Sequence, residues 1–291
     1  MGGCVLENWL PESLGTEFKG DSADLVTAIK NRDILYARAI MCTKEHDLVV
    51  ELNGLRGIIP RNEAAMGIAE GKTREIAVLS RVGRKVCFVV EDVNAPEGFD
   101  VLLSRKRAQE FALERLCELQ CGEVIQAIVT HLTAFGAFVD IGCGITSMIG
   151  IENISAARIS TPSDRFEIGQ HVYVVIRGCE GDRILISHKE LLGTWKENAA
   201  RFSAGETVAG IVRGVKDYGI FIELAPNLSG LAEVRPGINV GDRVSVYIKS
   251  IIPEKYKIKL VIIDSLPPAA NLPLKYFITS GNVKDWKYDE T

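Results

Sequence analysis

Four aromatic residues at matched spacing are the side chains of this chain best suited to chemistry, and that chemistry is stacking rather than bond-making. Phe135 and Phe138 stand in "HLTAFGAFVDIG" (131–142), and Tyr218 and Phe221 in "KDYGIFIEL" (216–224). Each pair brackets a glycine, a residue that weakens a strand interior. On a strand, alternate residues share a face. Phe138 and Asp140 therefore fall on one face, and Ala137, Val139 and Ile141 on the other. The small aliphatic face suits an interior. The rings then look outward, where a flat partner could stack on them. The competing reading is packing against a helix or a neighbouring repeat.

Other chemistries find no matching pattern. Seven cysteines (Cys4, Cys42, Cys87, Cys117, Cys121, Cys143 and Cys179) include no CxxC pair, and the four histidines are scattered. Zinc spacing is absent, so no metal site and no cofactor are expected, and the thiols are read as reduced, as in a cytoplasmic protein. "AMGIAEGKT" holds Gly71, Lys72 and Thr73 but has Met66 where a phosphate-binding loop needs glycine. "GCGITS" (142–147) lacks the third glycine of a dinucleotide fingerprint and reads as a hairpin turn. The acids Glu91, Asp92, Glu97 and Asp100 surround a Pro-Glu-Gly turn and read as a solvated hairpin. No Ser/His/Asp set or carboxylate pair stands out, so catalytic residues are not expected. The formal net charge is −4 over 291 residues, so any hold on a polyanion must come from local patches. No segment reaches the ~20 apolar residues of a membrane helix, and the start lacks the pattern of a signal peptide.

The elements that must position the rings repeat along the chain. "GEVIQAIVTHL" precedes the first aromatic pair and "GETVAGIVRGV" the second. "IGQHVYVVIRG" and "RILISHK" follow the first; "VGDRVSVYIKS" and "KIKLVII" follow the second. A recurrence of this kind marks copies of one small domain. A fainter copy comes earlier, in "ILYARAIMCTKEHDLVVELNGLRGIIPRNEA", "GRKVCFVVEDV" and "FDVLLSRK", with Leu48 and Val50 read at the ring positions. Each copy reads as five short strands, a small barrel or sandwich, of which a closed barrel would hide its edges. "KRAQEFALERLCEL" and "KELLGTWKENAARF" carry apolar residues at helical spacing and read as helices between copies, with Trp195 used for packing.

These residues resemble the repeats of the ribosomal protein S1-like RNA-binding family. "FGAFVDIG", "SMIGIENIS" and "FEIGQHVYVVIRGCEGDRILISHK" carry the resemblance in the second copy, and the third repeats it with "GLAE" after its aromatic strand. Gly150 and Glu233 stand where the family has a histidine. The resemblance implies tandem five-stranded oligonucleotide-binding barrels of the S1 type, an all-β chain with linker helices. It also implies an RNA face on the second and third strands of a barrel. Phe135, Phe138, Tyr218 and Phe221 would stack on bases, each stack being worth roughly 1–3 kcal/mol. Arg183 and Lys257 fall at the family's basic position, and with Lys216 and Lys259, which flank the aromatics, would meet phosphates.

The expected organisation is an N-terminal arm over 1–30, a degenerate repeat over 31–105, a linker helix over 106–120, a repeat over 121–188, a second linker helix over 189–203, a repeat over 204–265 and an extended tail over 266–291. The expected function is binding of single-stranded RNA, such as mRNA, in association with translation, by a cytoplasmic protein that is not an enzyme. The ribosome or an RNA-processing complex is the expected larger partner, and no membrane is expected. The alternative is a protein-docking adaptor with little RNA affinity of its own. Oligomeric state has no signature in the sequence.

Overall fold

In the computed structural model, which describes residues 9–268 and 272–289, strands alternate between core and surface as the repeat pattern requires. Helix α1 (Ser22–Asn31) leads into β1 (Leu35–Cys42), β2 (Leu48–Leu52), β3 (Leu55–Ile59), the short helix α2 (Ile76–Leu79), β4 (Lys85–Asp92) and β5 (Val101–Ser104). Helix α3 (Arg105–Glu118) follows, then β6 (Val124–Leu132), β7 (Gly136–Asp140), β8 (Thr146–Gly150), β9 (His171–Glu180) and β10 (Arg183–Ser187). The one-turn helix α4 (Trp195–Ala199) precedes β11 (Thr207–Lys216), β12 (Gly219–Ala225), β13 (Leu228–Ala232), β14 (Arg243–Ile252) and β15 (Lys257–Leu266). The first and third sets close as barrels of order β1-β2-β3-β5-β4 and β11-β12-β13-β15-β14. The middle set runs β10-β9-β6-β7-β8 without a ladder between β8 and β10. There the Ser147 hydroxyl bridges the seam by donating to the Ile184 carbonyl at 2.6 Å.

Two bulges recur in every barrel. Each adds one unpaired residue, which bends the strand and sharpens its twist. In the first strand of each barrel the register slips between Ala39 and Met41, Val129 and His131, and Val212 and Gly214. In the fourth strand the unpaired residues are Glu91, Arg177 and Lys249. These slips align the barrels residue by residue. Val49, Phe138 and Phe221 face Met41, His131 and Gly214 across the same bulge. The expected placement of Leu48 and Val50 at the ring positions is therefore corrected by one. Both point into the first core, and Val49 occupies the ring position, itself fully buried. Ala137, Val139 and Ile141 lie in the second core, and Ile220, Ile222 and Leu224 in the third.

The segment expected as an N-terminal arm is a wedge between the first two barrels. Buried Glu12 accepts from Arg105 Nε at 2.7 Å, Arg81 Nη1 at 3.0 Å and the Cys87 amide at 3.2 Å. Its own amide donates to Asp140 Oδ2 at 2.9 Å. Burial opposes ionisation of Glu12, but Arg105 and Arg81 outweigh it and hold its pKa below the ordinary value. Asp140, which shares the Phe138 face, is thereby covered rather than solvated. It accepts from the amides of Gly142 and Gly144, and burial followed by the Glu12 charge pushes its pKa up to about 6. Helix α3 is capped by the Ser104 hydroxyl and packs Ala108 and Ala112 against Tyr36 and Cys87, while Leu116 enters the second core.

The expected helix over 189–203 is interrupted. A 3-10 turn, Lys189–Leu192, ends at Gly193 with φ 81°, and Thr194 starts α4 with a capping box to Glu197. Gly193 leaves no room for a side chain, since a Cβ there would meet the Phe277 ring. Trp195 does pack in the third core. The expectation of seven reduced thiols is also corrected: Cys117 at the end of α3 is bonded to Cys179 on β9.

The tail folds back onto the middle barrel. His188, fully buried, lies with Nδ1 2.6 Å from the Ile154 carbonyl and Nε2 3.0 Å from the Tyr276 hydroxyl. The carbonyl can only accept, so Nδ1 carries the proton and Tyr276 donates to Nε2. Burial lowers the His188 pKa from 6.5 to about 4. An unfolded chain takes up this proton below pH 6.5 and the folded one resists until about 4. The stability from this group is therefore complete above that window and falls as pH drops through it, by roughly 3 kcal/mol. In an NMR titration, His188 is expected to stay neutral at about pH 5.5, where a free imidazole is charged. A free-imidazole titration curve would remove the buried bond to the tail.

Candidate nucleic-acid interface

The third barrel carries the fullest site. Gly219 opens β12 where the neighbouring strand passes close, and a Cβ there would meet the Ala232 carbonyl oxygen at 2.8 Å. That approach leaves Tyr218 at the hairpin tip, 71% exposed. The Phe221 ring, half-buried, stands edge-on to it at 6.1 Å between centroids and 89° between planes. Phe221 pairs with Leu231, Leu231 with Lys259, and Lys259 with Ser250, so the four strands set these side chains in one row. Lys249 projects beside the row because it is the bulged residue of β14. The result is a groove of about 570 Å³ lined by Tyr218, Phe221, Lys249, Lys255, Lys257 and Lys259, with Glu233 its one acid. Four lysines against one carboxylate give a local positive field on a chain whose net charge is −4. Lys216 lies outside this lining, exposed at the end of β11 opposite Gly219.

The middle barrel repeats the plan with less charge. A Cβ on Gly136 would meet the Ile149 carbonyl oxygen at 2.5 Å, so glycine again permits the close strand and leaves Phe135 at the turn, 60% exposed. Phe138 is half-buried, tilted 35° to the His131 ring at 6.2 Å, and paired across β8 with exposed Met148. Arg183 is exposed at the start of β10. Arg177 holds the bulge position of Lys249, and Leu185 the ladder position of Lys259. His131, Met148, Leu185, Lys249 and Lys255 escaped sequence reading, because the bulges that aim or align them leave no mark in spacing.

The first barrel inverts the charges. Its bulge residue is Glu91, paired with Arg107 at 2.7 Å, where the others have Arg177 and Lys249. By the same register Asp100 holds the place of Arg183 and Lys257, its carboxylate accepting from the Arg56 amide at 2.7 Å. Buried Val49 replaces the ring. This face lacks the ring of the other two and carries acids at two of their basic positions.

Among the described residues no group of three histidine, cysteine or carboxylate side chains is placed to hold a metal. No helix among them is long and apolar enough to cross a membrane.

Comparison with known proteins agrees with this geometry. Residues 118–189, which contain the middle barrel, match the S1 RNA binding domain. The chain is similar to small ribosomal subunit protein bS1 of Leuconostoc lactis, 33% identical over 232 residues that cover 73% of this chain and 52% of that protein. It is also similar to the bS1 protein of Staphylococcus aureus, 31% identical over 258 residues, 82% of this chain and 63% of that protein. The chain thus spans between half and two thirds of these relatives' length. Among solved structures, a multidomain protein with nucleic acid binding domains from Streptococcus pneumoniae covers 79% of this chain and 73% of its own at 14% identity and a TM-score of 0.25.

Proposed function

We propose that this chain, whose middle barrel matches the S1 RNA binding domain and which is similar to bS1 proteins, binds single-stranded RNA through its second and third barrels, in association with translation. The groove of the third barrel carries the reading. Tyr218 and Phe221 offer ring faces and edges to bases, while Lys249, Lys257 and Lys259 line the same groove on β14 and β15, beyond the intervening β13, for the phosphates. Stacking on rings beside a basic track is how unpaired strands are held without sequence preference. Phe135, Phe138 and Arg183 do the same work on the second barrel with a weaker field. The relatives are small-subunit ribosomal proteins, which supports mRNA as the strand, the ribosome as the larger partner and the cytoplasm as the place. The protein acts as a binder rather than an enzyme.

For the first barrel, Glu91 and Asp100 favour the docking role: its acidic face holds off RNA, and its other face packs on α3 and the wedge. Salt dependence tests the whole reading. Each phosphate contact to a single strand adds about 0.7 to the slope of log affinity against log salt. Lys257→Gln with Lys259→Gln should therefore reduce that slope by about 1.4. An unchanged slope would take the third-barrel lysines out of the interface.

A further inference from the structure

A second cleft lies where the middle barrel, the linker and the tail meet. It has a volume of about 500 Å³ and is lined by Ile151, Glu152, Arg158, Lys189, Trp286 and Tyr288 among others. This is the size range of sites that take a small organic group. It lies beside the turn that carries Phe135, whose carbonyl accepts from the Ile151 amide at 2.9 Å. Three features say what would fit. The Trp286 and Tyr288 rings stand 6.4 Å apart and 46° to each other. The Trp286 indole N–H is buried and meets no acceptor among the described residues, a state that favours taking one from a ligand. Arg158 lines the cleft and is exposed. Lys189 Nζ, bound to the Glu152 carbonyl at 3.2 Å and Asn153 Oδ1 at 2.9 Å, adds a second positive charge at the rim, against the one exposed carboxylate of Glu152.

The wall is held firmly. The Tyr288 hydroxyl donates to the Asn227 carbonyl at 2.7 Å, the Trp195 amide donates to the Tyr288 carbonyl at 3.0 Å, and the Val283 amide donates to the Gly122 carbonyl at 2.8 Å. The tail thereby spans the second and third barrels, and the rings it presents are positioned before any ligand arrives.

We infer that this cleft is a further nucleotide subsite, taking one unpaired base of the strand that crosses Phe135. The base lies against the Trp286 and Tyr288 rings, a base carbonyl accepts from the Trp286 N–H, and Arg158 meets the neighbouring phosphate. The inference rests on the RNA-binding reading but involves different residues, so the two can fail separately.

The test measures binding of the full chain to unstructured single-stranded RNA of about 12 nucleotides and of about 4, the latter short enough to fill one ring face. Trp286→Phe keeps a ring and removes the donor; it should weaken the longer RNA about threefold to tenfold and leave the shorter one unchanged. Arg158→Ala, at an exposed position, should act in the same direction without touching the fold. Long RNA carrying 4-thiouridine should crosslink to the peptide holding Trp286 and Tyr288. Wild-type affinity in both variants with no crosslink there would overturn the subsite and leave the ring faces standing. Equal loss for the short RNA would show that Trp286 only supports the barrel, which also overturns it. If the wild-type chain binds neither RNA, both readings fall.

Discussion

Phe221→Ala is expected to weaken binding of single-stranded RNA by about 1–3 kcal/mol, the value of one base stack on an aromatic ring, and to leave the barrel folded. The ring sits outside the sheet, half-buried between Tyr218 and Leu231. The third core beneath it is built from Ile220, Ile222, Val244, Val246 and Ile258, none of which the substitution touches. Truncation therefore opens no internal cavity of the kind that costs 2–5 kcal/mol in a core. Phe138→Ala should act alike on the second barrel. The two sites share no partner, so the double variant should lose the sum of the two effects on RNA long enough to reach both. Titration of a labelled RNA beside a thermal melt checks this. A large fall in melting temperature with Phe138→Ala or Phe221→Ala would make the ring a core residue and remove it from the interface.

Glu223→Gln is expected to destabilise the junction of the second and third barrels by about 3–5 kcal/mol. Glu223 is fully buried on β12 and faces two guanidiniums, Arg165 from the second barrel and Arg213, whose Nε donates at 2.6 Å. Arg165 is fully buried as well; its only other partner among the described residues is the Ser155 hydroxyl at 3.3 Å. Removing the anion leaves Arg165 uncompensated, and Arg213 keeps only Asp164 at 3.0 Å. Burial already lowers the Arg165 pKa, opposed chiefly by Glu223, so loss of the carboxylate removes what keeps it charged in place. Asp164→Asn, at the partly exposed edge of the cluster and still able to accept from the Ser160 and Thr161 amides, should cost less, about 1–2 kcal/mol. Denaturant unfolding compares the two. A Glu223→Gln cost no larger than that of Asp164→Asn would mean that water reaches Arg165.

Glu223 and Asp140 mark the boundary of what could be read in the sequence. Both sit two residues after a ring; strand alternation put Asp140 on the outer face with Phe138, and Glu223 holds the same position on β12. Their burial comes from elsewhere in the chain: Glu12 covers Asp140 from 128 positions away, and Arg165 covers Glu223 from another barrel. No local pattern carries such a contact. The barrels themselves were legible because "FGAFVDIG" and "YGIFIEL" repeat with their flanks, and a period of two states which side chains face inward. Register was less legible. A bulge at Ile40, Thr130 or Arg213 changes no residue type, yet it decides that Val49 rather than Val50 matches Phe138. The break in the second linker did have a signal, Gly193 followed by the Thr194-to-Glu197 capping box, which apolar spacing alone overrode. The Cys117–Cys179 bond joins residues 62 apart, and no spacing rule identifies one such pair among seven cysteines.

The most direct measurement is equilibrium binding of the full chain to a mixed-sequence single-stranded RNA and to a duplex of the same sequence, each over a range of salt. Exposed rings can stack only on bases that are free of a helix, and the lysine groove follows one backbone. The expected result is salt-sensitive binding of the single strand, clearly tighter than binding of the duplex, and lost in step with the rings when Phe138 and Phe221 are truncated. Equal affinity for strand and duplex, or no binding of the single strand at low salt, would contradict it.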